Sequence, residues 1–194
     1  VHNPQAVYYG RLPGFALTGR GRRQATAAAR ALRDAPLAAL YSSPLLRARQ
    51  TAQILQSEHP DLALRISPLL NEAHTPFDGK THAELDAVGW DVYTGSGPGY
   101  EQPGDILARV RRFLSEVRQV HAGQQVAAVT HGDVIVFTVL WVNDRPVTPD
   151  RGALDLPDDY PALGSICTLV YETTAPDQVP ALCYRRPGAS DNST

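Results

Sequence analysis

The sequence contains no methionine, not even at position 1, and Lys80 is its only lysine. It has two cysteines, Cys167 and Cys183, in 194 residues. So few thiols exclude a disulfide framework and point to a reducing, cytoplasmic setting with both thiols free. No apolar run approaches the roughly 20 residues that cross a bilayer, and no signal-peptide pattern is present, so no membrane partner is expected. The formal net charge of -2 supplies no basic field for nucleic acid. The six histidines are scattered, which argues against a metal cluster, and nothing calls for a cofactor. The missing methionine implies that residues precede Val1 or that an initiator was removed. Oligomeric state leaves no trace in the sequence.

What is present is an ordinary globular composition, 43% apolar, in a length suited to one domain. Residues 1–187 are expected to form that domain, and the polar tail over 188–194 reads as disordered. "YYGRLPGFALTGRG" reads as a loop rich in glycine and aromatics. Thr18 is a candidate N-cap for a helix over 19–33. "LAALYSS" reads as a short buried strand, after which Ser43 is expected to cap a helix with Pro44 in its first position. Leu45, Ala48, Ala52 and Leu55 place an apolar stripe on that helix. "LALRIS" is a second strand. In "QPGDILARVRRFLSEVRQVH", Ile106, Val110, Phe113, Leu114 and Val117 fall at helical spacing. "QVAAVT" is a strand apolar on both faces, as in a sheet covered on two sides. "GDVIVFTVLWV" reads as a buried helix, although its β-branched residues would also suit a strand. "SICTLVYE" and "ALCYRRP" read as a closing antiparallel pair. Strands alternating with helices predict a three-layer α/β/α domain with a mostly parallel central sheet.

In such sheets ligands bind beyond the carboxyl ends of the strands. Arg47 follows one such end in the first turn of a helix, and His131 follows another. A helix N-terminus offers unpaired N–H groups, and a guanidinium beside it suits a phosphate. Taken singly, each residue has a plainer explanation: a solvated arginine, a capping histidine, a loop acid at Glu72. Their order and spacing together alter that reading.

"SSPLLRARQTA" resembles the Ser-x-Leu-x-Arg-Ala-x-x-Thr-Ala segment of the histidine phosphatase superfamily, the phosphoglycerate mutase-like fold. "VTHGD" resembles its second-histidine motif. "GRLPGFALTGRGRRQA" is similar to the loop and helix that follow its catalytic motif. "LLNEAHTPFDG" is similar to the segment that carries its acid/base residue. The resemblance runs in order from residue 1 to about residue 140. It implies Glu72 as acid/base, and Arg47, His131 and Asn3 as phosphate contacts. Arg11 lies in the loop where the family contacts substrate. Members open with a strand ending in Arg-His-Gly, whose histidine is the nucleophile, and that motif occurs nowhere in this sequence. The resemblance therefore implies a nucleophile upstream of Val1. It also implies that Val1, Asn3, Arg47 and His131 converge on one crevice, beside a place in the sheet for that first strand. His2 is a poor substitute, because no arginine precedes it.

The chemistry implied is phosphomonoester hydrolysis through a phosphohistidine. A neutral imidazole attacks phosphorus, splitting one hard step into two. Arg47, His131 and Asn3 would spread the charge on the phosphoryl oxygens, without a metal. Glu72 would protonate the leaving oxygen and then deprotonate water. Two other classes stay open: a mutase on the same scaffold, and a non-catalytic phosphate-binding protein. The compact stretch between Glu72 and His131 favours the phosphatase. The partner is a small phosphorylated substrate whose identity the sequence does not encode. Arg49, two residues from Arg47, is expected on the surface, and His74 and His82 carry no expected role.

Overall fold

The Thr18 side chain accepts from the backbone N–H of Gly21 and so starts helix α1, Gly19–Ala31. The structure is a computed structural model that describes residues 1–149, 154, 156, 160–173, 175 and 177–188. The expected tail over 188–194 lies, apart from Gly188, outside the described residues. After α1 come strand β1 (Leu37–Ser42), helix α2 (Leu46–Gln56) and strand β2 (Leu64–Ile66). A 3-10 turn at Pro68–Leu70 and a short helix α3 (His82–Asp86) follow. Helix α4 spans Pro103–Val120, strand β3 Gln125–Val129 and helix α5 Gly132–Val142. Strands β4 (Ile166–Val170) and β5 (Ala181–Arg185) close the chain.

The start of α2 differs from expectation. Its N-cap is Leu45, with no side-chain cap bond, rather than Ser43. The reason is local: the Ser43 hydroxyl accepts from Leu45 N–H but is otherwise directed to Asn71 and His131, so it serves the crevice. The helix expected over 19–33 ends two residues earlier, where Leu32 N–H closes the last turn. The ambiguous "GDVIVFTVLWV" is the helix α5. Val134, Val136, Phe137, Val139 and Leu140 are all buried in it, and burial on this scale outweighs the β-branched propensity.

Strands β1, β2 and β3 form a parallel sheet in the order β2-β1-β3. Side chains alternate across it as the pleat requires. Leu40 packs with Ala29 of α1 and Leu55 of α2. Its neighbour Tyr41 turns to the other face, where its ring meets Phe113 of α4 edge-on at 5.4 Å. The result is the expected α/β/α layering around a parallel sheet. The larger core lies among α4, α5 and the β4–β5 pair, with Ile106, Val110, Phe137 and Leu140 buried and Leu182 and Tyr184 packed against them.

The β4–β5 ladder is antiparallel and separate from the parallel sheet. Among the described residues β3 pairs with β1 alone, and its Ala128 is exposed although the strand is apolar on both faces. Cys183 stands opposite Thr168, and Cys167 opposite Tyr184, so the two sulfurs leave opposite faces of the hairpin. Both cysteines are free, and burial pushes the Cys167 thiol up to about 11. No described helix is long and apolar enough to cross a membrane.

Candidate active site

The carboxyl ends of β1 and β3 are tied to the segment that carries Glu72. Ser43 follows β1, and its hydroxyl donates to Asn71 Oδ1 at 3.2 Å. Thr130 follows β3 and donates to the carbonyl of Leu70 at 2.9 Å. Next comes His131, the N-cap residue of α5, 7% exposed. Its Nε2 lies 2.8 Å from Ser43 Oγ. With the Ser43 proton directed to Asn71, the His131 Nε2–H is the donor in this pair. The sequence therefore folds two strand ends and one loop into a single wall, joined through three short polar side chains.

Arg47 enters from the first turn of α2 and is also 7% exposed. It donates to the carbonyl of Gly10 at 2.7 Å and lies over the ring of Tyr9, 4.8 Å from its centroid. Tyr9 in turn stacks on Phe15 with centroids 5.2 Å apart. Burial pushes the Arg47 guanidinium down from its ordinary value, while Glu72, Tyr9, Tyr8 and Asp78 push it back up. An arginine starts so high that it remains a cation. Gly10 makes room for Asp78, because a Cβ there would stand 1.9 Å from Asp78 Oδ1 and force that side chain to move.

Glu72 is half-buried, and its Oε1 accepts the N–H of Ala73 at 3.0 Å. Its carboxyl is pushed up to about 7. Burial is the main cause and the charge of Asp133 the second; the Ala73 N–H, Arg47 and Arg109 oppose them. His131 shifts the other way, well below the ordinary imidazole value, first by burial and then by the charges of Arg47, Arg109 and Arg11. Without a bound anion His131 is neutral and Glu72 is poised between its two states near pH 7. Two titratable groups pushed apart in this way have the character of a reaction site.

Of the residues expected from sequence, Arg47 and Glu72 shift one another, and the charge of Arg47 also lowers His131. Arg11 joins the same field, but its guanidinium is already engaged. It donates from Nε to the Glu72 carbonyl at 2.7 Å and forms a 2.7 Å ion pair with Glu101. Asn3 uses both ends of its amide on Val7, which closes the N-terminal loop. Arg49 is exposed, as expected.

Sequence reasoning missed Arg109, Glu101 and Asp133. Arg109 makes an ion pair with Glu101 at 2.8 Å and donates to the carbonyls of Leu69 and Glu72. A signal was available: Arg109 follows Ile106 by three and precedes Phe113 by four, so it sits on the buried stripe of α4. Asp133 is an acid in the first turn of an otherwise apolar helix and is 2% exposed. It accepts hydrogen bonds from Tyr93 and, at 2.9 Å, from Tyr160.

Gly132 lies beneath Tyr160, and a Cβ there would stand 2.0 Å from the tyrosine hydroxyl. Gly132→Ala should therefore displace Tyr160 and break its bond to Asp133. A hydrogen bond to a charged acceptor contributes about 1.5–3 kcal/mol. Gly132→Ala and Tyr160→Phe should each lower the midpoint of thermal unfolding, and the double variant should lose much less than their sum. Fully additive losses would show that the added methyl acts elsewhere.

Comparison with known proteins shows the family and the fold. The model of the histidine phosphatase superfamily (branch 1) matches residues 1–158. The chain is 33% identical over 196 residues to the uncharacterized protein Rv0525 of Mycobacterium tuberculosis, covering 97% of this chain and 93% of that protein. Among solved structures, Bacillus stearothermophilus YhfR superposes with a TM-score of 0.74 at 24% identity, over 86% of this chain and 84% of that one. The complex of mycobacterial glucosyl-3-phosphoglycerate phosphatase with inorganic phosphate gives a TM-score of 0.71 at 26% identity, over 92% and 89%.

Proposed function

The chain belongs to the histidine phosphatase superfamily, branch 1, and from that membership we propose that it is a phosphomonoester hydrolase working through a phosphohistidine intermediate. The observation that carries the reading is the meeting of a buried cation, Arg47, a neutral buried imidazole, His131, and a carboxyl raised to about 7, Glu72, at the carboxyl ends of two parallel strands. The phosphatase neighbour is consistent with hydrolysis as the reaction class.

The phosphate dianion meets the Arg47 fork, of which the described bond to Gly10 engages a single terminal nitrogen. Its charge reverses the field on His131. The imidazole, held neutral by burial and three guanidinium groups, gains a proton and becomes a second charged donor. The nucleophile in this reading is the imidazole of the family's Arg-His-Gly motif, for whose strand the edge of β3 that is unpaired among the described residues offers a place. The exposure of Ala128 in that apolar strand supports this placement. Its nitrogen bonds to phosphorus as the ester P–O bond breaks, and Glu72 gives its proton to the departing oxygen. Water then attacks phosphorus, the P–N bond breaks, and Glu72 takes the proton back. Asn3 takes part in this reading by exchanging Val7 for a phosphate oxygen. Arg11 acts on the substrate end of the crevice through Glu101 and the Glu72 carbonyl, to which it is bound. The substrate is a small phosphomonoester.

The test uses the full-length protein with an aryl phosphate, an alkyl phosphate and a phosphoglycerate. Release of inorganic phosphate, with an acid-labile and base-stable phosphoenzyme trapped on the way, is the expected result. Phosphate moved between hydroxyls of phosphoglycerate without release would make the protein a mutase. Neither release nor a phosphoenzyme would leave it a phosphate-binding protein.

A further inference from the structure

Arg109 comes from the middle of α4, and the reaction outlined above uses only its charge, which helps to hold His131 neutral. Its side chain is 12% exposed, and each of its three nitrogens is hydrogen-bonded. Nε donates to Glu101 Oε1 at 2.8 Å, one terminal nitrogen to the Leu69 carbonyl at 2.7 Å, and the other to the Glu72 carbonyl at 3.3 Å. The Glu72 carbonyl also accepts from Arg11 Nε at 2.7 Å. Glu101 completes the arrangement: its Oε2 accepts from Arg11 at 2.7 Å and from the backbone N–H of His74 at 2.9 Å. Two guanidinium groups and one carboxylate thus hold the backbone on both sides of Glu72, from Leu69 to His74. Among the described residues the Glu72 carboxyl takes a hydrogen bond only from its own neighbour, the Ala73 N–H. Where that carboxyl stands depends on where its backbone is held.

We propose that Arg109, with Glu101, is a positioning residue for the proton donor: it fixes the main chain around Glu72 so that the carboxyl meets the leaving oxygen of the substrate. The proposal rests on the assignment of Glu72 as general acid. A planar fork is suited to the task, because three acceptors in different directions can be held by one rigid group. A lysine has three donors on a flexible stem and cannot span the same acceptors with fixed geometry.

The consequence concerns leaving groups. A good leaving group, such as an aryl oxide, departs with little help from an acid, whereas an alkoxide needs the proton. Displacing a catalytic group by about 1 Å can cost on the order of 100-fold. Arg109→Met should lower kcat/KM for an alkyl phosphate by about 100-fold and for an aryl phosphate by less than about 10-fold. Arg109→Lys should fall between Arg109→Met and the parent in its aryl-to-alkyl ratio. The ratio is internal to each preparation, so a variant that folds less completely loses both activities equally and leaves it unmoved. Glu72→Gln serves as the reference. If Glu72→Gln raises the aryl-to-alkyl ratio and Arg109→Met does not, Arg109 is merely structural and the inference is overturned. If Glu72→Gln leaves the ratio unchanged, the assignment of Glu72 fails first, and with it the premise.

Discussion

Arg47→Ala should lower kcat/KM about 100-fold or more, and by the same factor for aryl and alkyl phosphates. The equality follows from where the charge sits. Arg47 is the buried cation whose described hydrogen bond leaves most of its fork uncommitted, whereas Arg11 and Arg109 are bound to Glu101 and to backbone carbonyls. What Arg47 neutralises is the transferring phosphoryl group, which every substrate shares. Arg47→Lys should restore little, because an ammonium cannot hold two equatorial oxygens at once. Arg47→Ala also removes the bond to Gly10 and the contact with Tyr9, so thermal unfolding should be measured beside the kinetics. A loss below about 10-fold with unchanged stability would place the phosphate elsewhere.

The α/β/α architecture was legible because its signals are local and periodic. Thr18 caps α1, the stripe Ile106, Val110, Phe113 runs along α4, and β1 and β3 stand where short apolar runs end in turn residues. The start of α2 was not legible for a physical reason. Ser43-Pro44 has the chemistry of a helix start, yet the Ser43 hydroxyl is claimed by His131 and Asn71, 88 and 28 residues away. A long-range hydrogen bond overrode a local propensity, and local reasoning has no access to that competition.

The site divides along the same line. Arg47, Glu72 and His131 each occupy a recognisable place beside a strand end or in a short motif, so a sequence can suggest them. Arg109, Glu101 and Asp133 act by what they touch across the fold. Arg109 reaches Leu69 forty residues away, and Asp133 meets Tyr93 at the same separation. The same distances alter Arg11, whose loop position suggests substrate contact while its guanidinium is held by Glu101 at a separation of 90 residues. A charged residue on an apolar helical stripe is the sequence mark of such groups, because burying it demands a partner.

Glu72→Gln should have the largest selective effect. General acid catalysis contributes on the order of 100- to 10,000-fold, so an alkyl phosphate should slow by about that much and an aryl phosphate far less. The pH dependence follows from the raised carboxyl. Glu72 is protonated, and able to donate, below about 7, so activity on alkyl phosphates should decline as pH rises through that value. The decline should vanish in Glu72→Gln, whose amide does not titrate. Stability should follow the same group with a definite sign. The folded value of about 7 lies above the ordinary 4.5, so folding takes up a proton between these limits. The contribution of Glu72 is therefore fully present below about 4.5 and is lost as pH rises to about 7. Above that, the parent carries a partly desolvated carboxylate that Gln replaces with a neutral amide, so Glu72→Gln should unfold at a higher temperature than the parent at pH 8 and lose the advantage near pH 4. Thermal unfolding across this range and kcat/KM with both esters test one assignment by independent routes. Equal slowing of the two esters would remove Glu72 as the acid. An advantage at pH 4 equal to that at pH 8 would mean that its carboxyl is not the group that titrates.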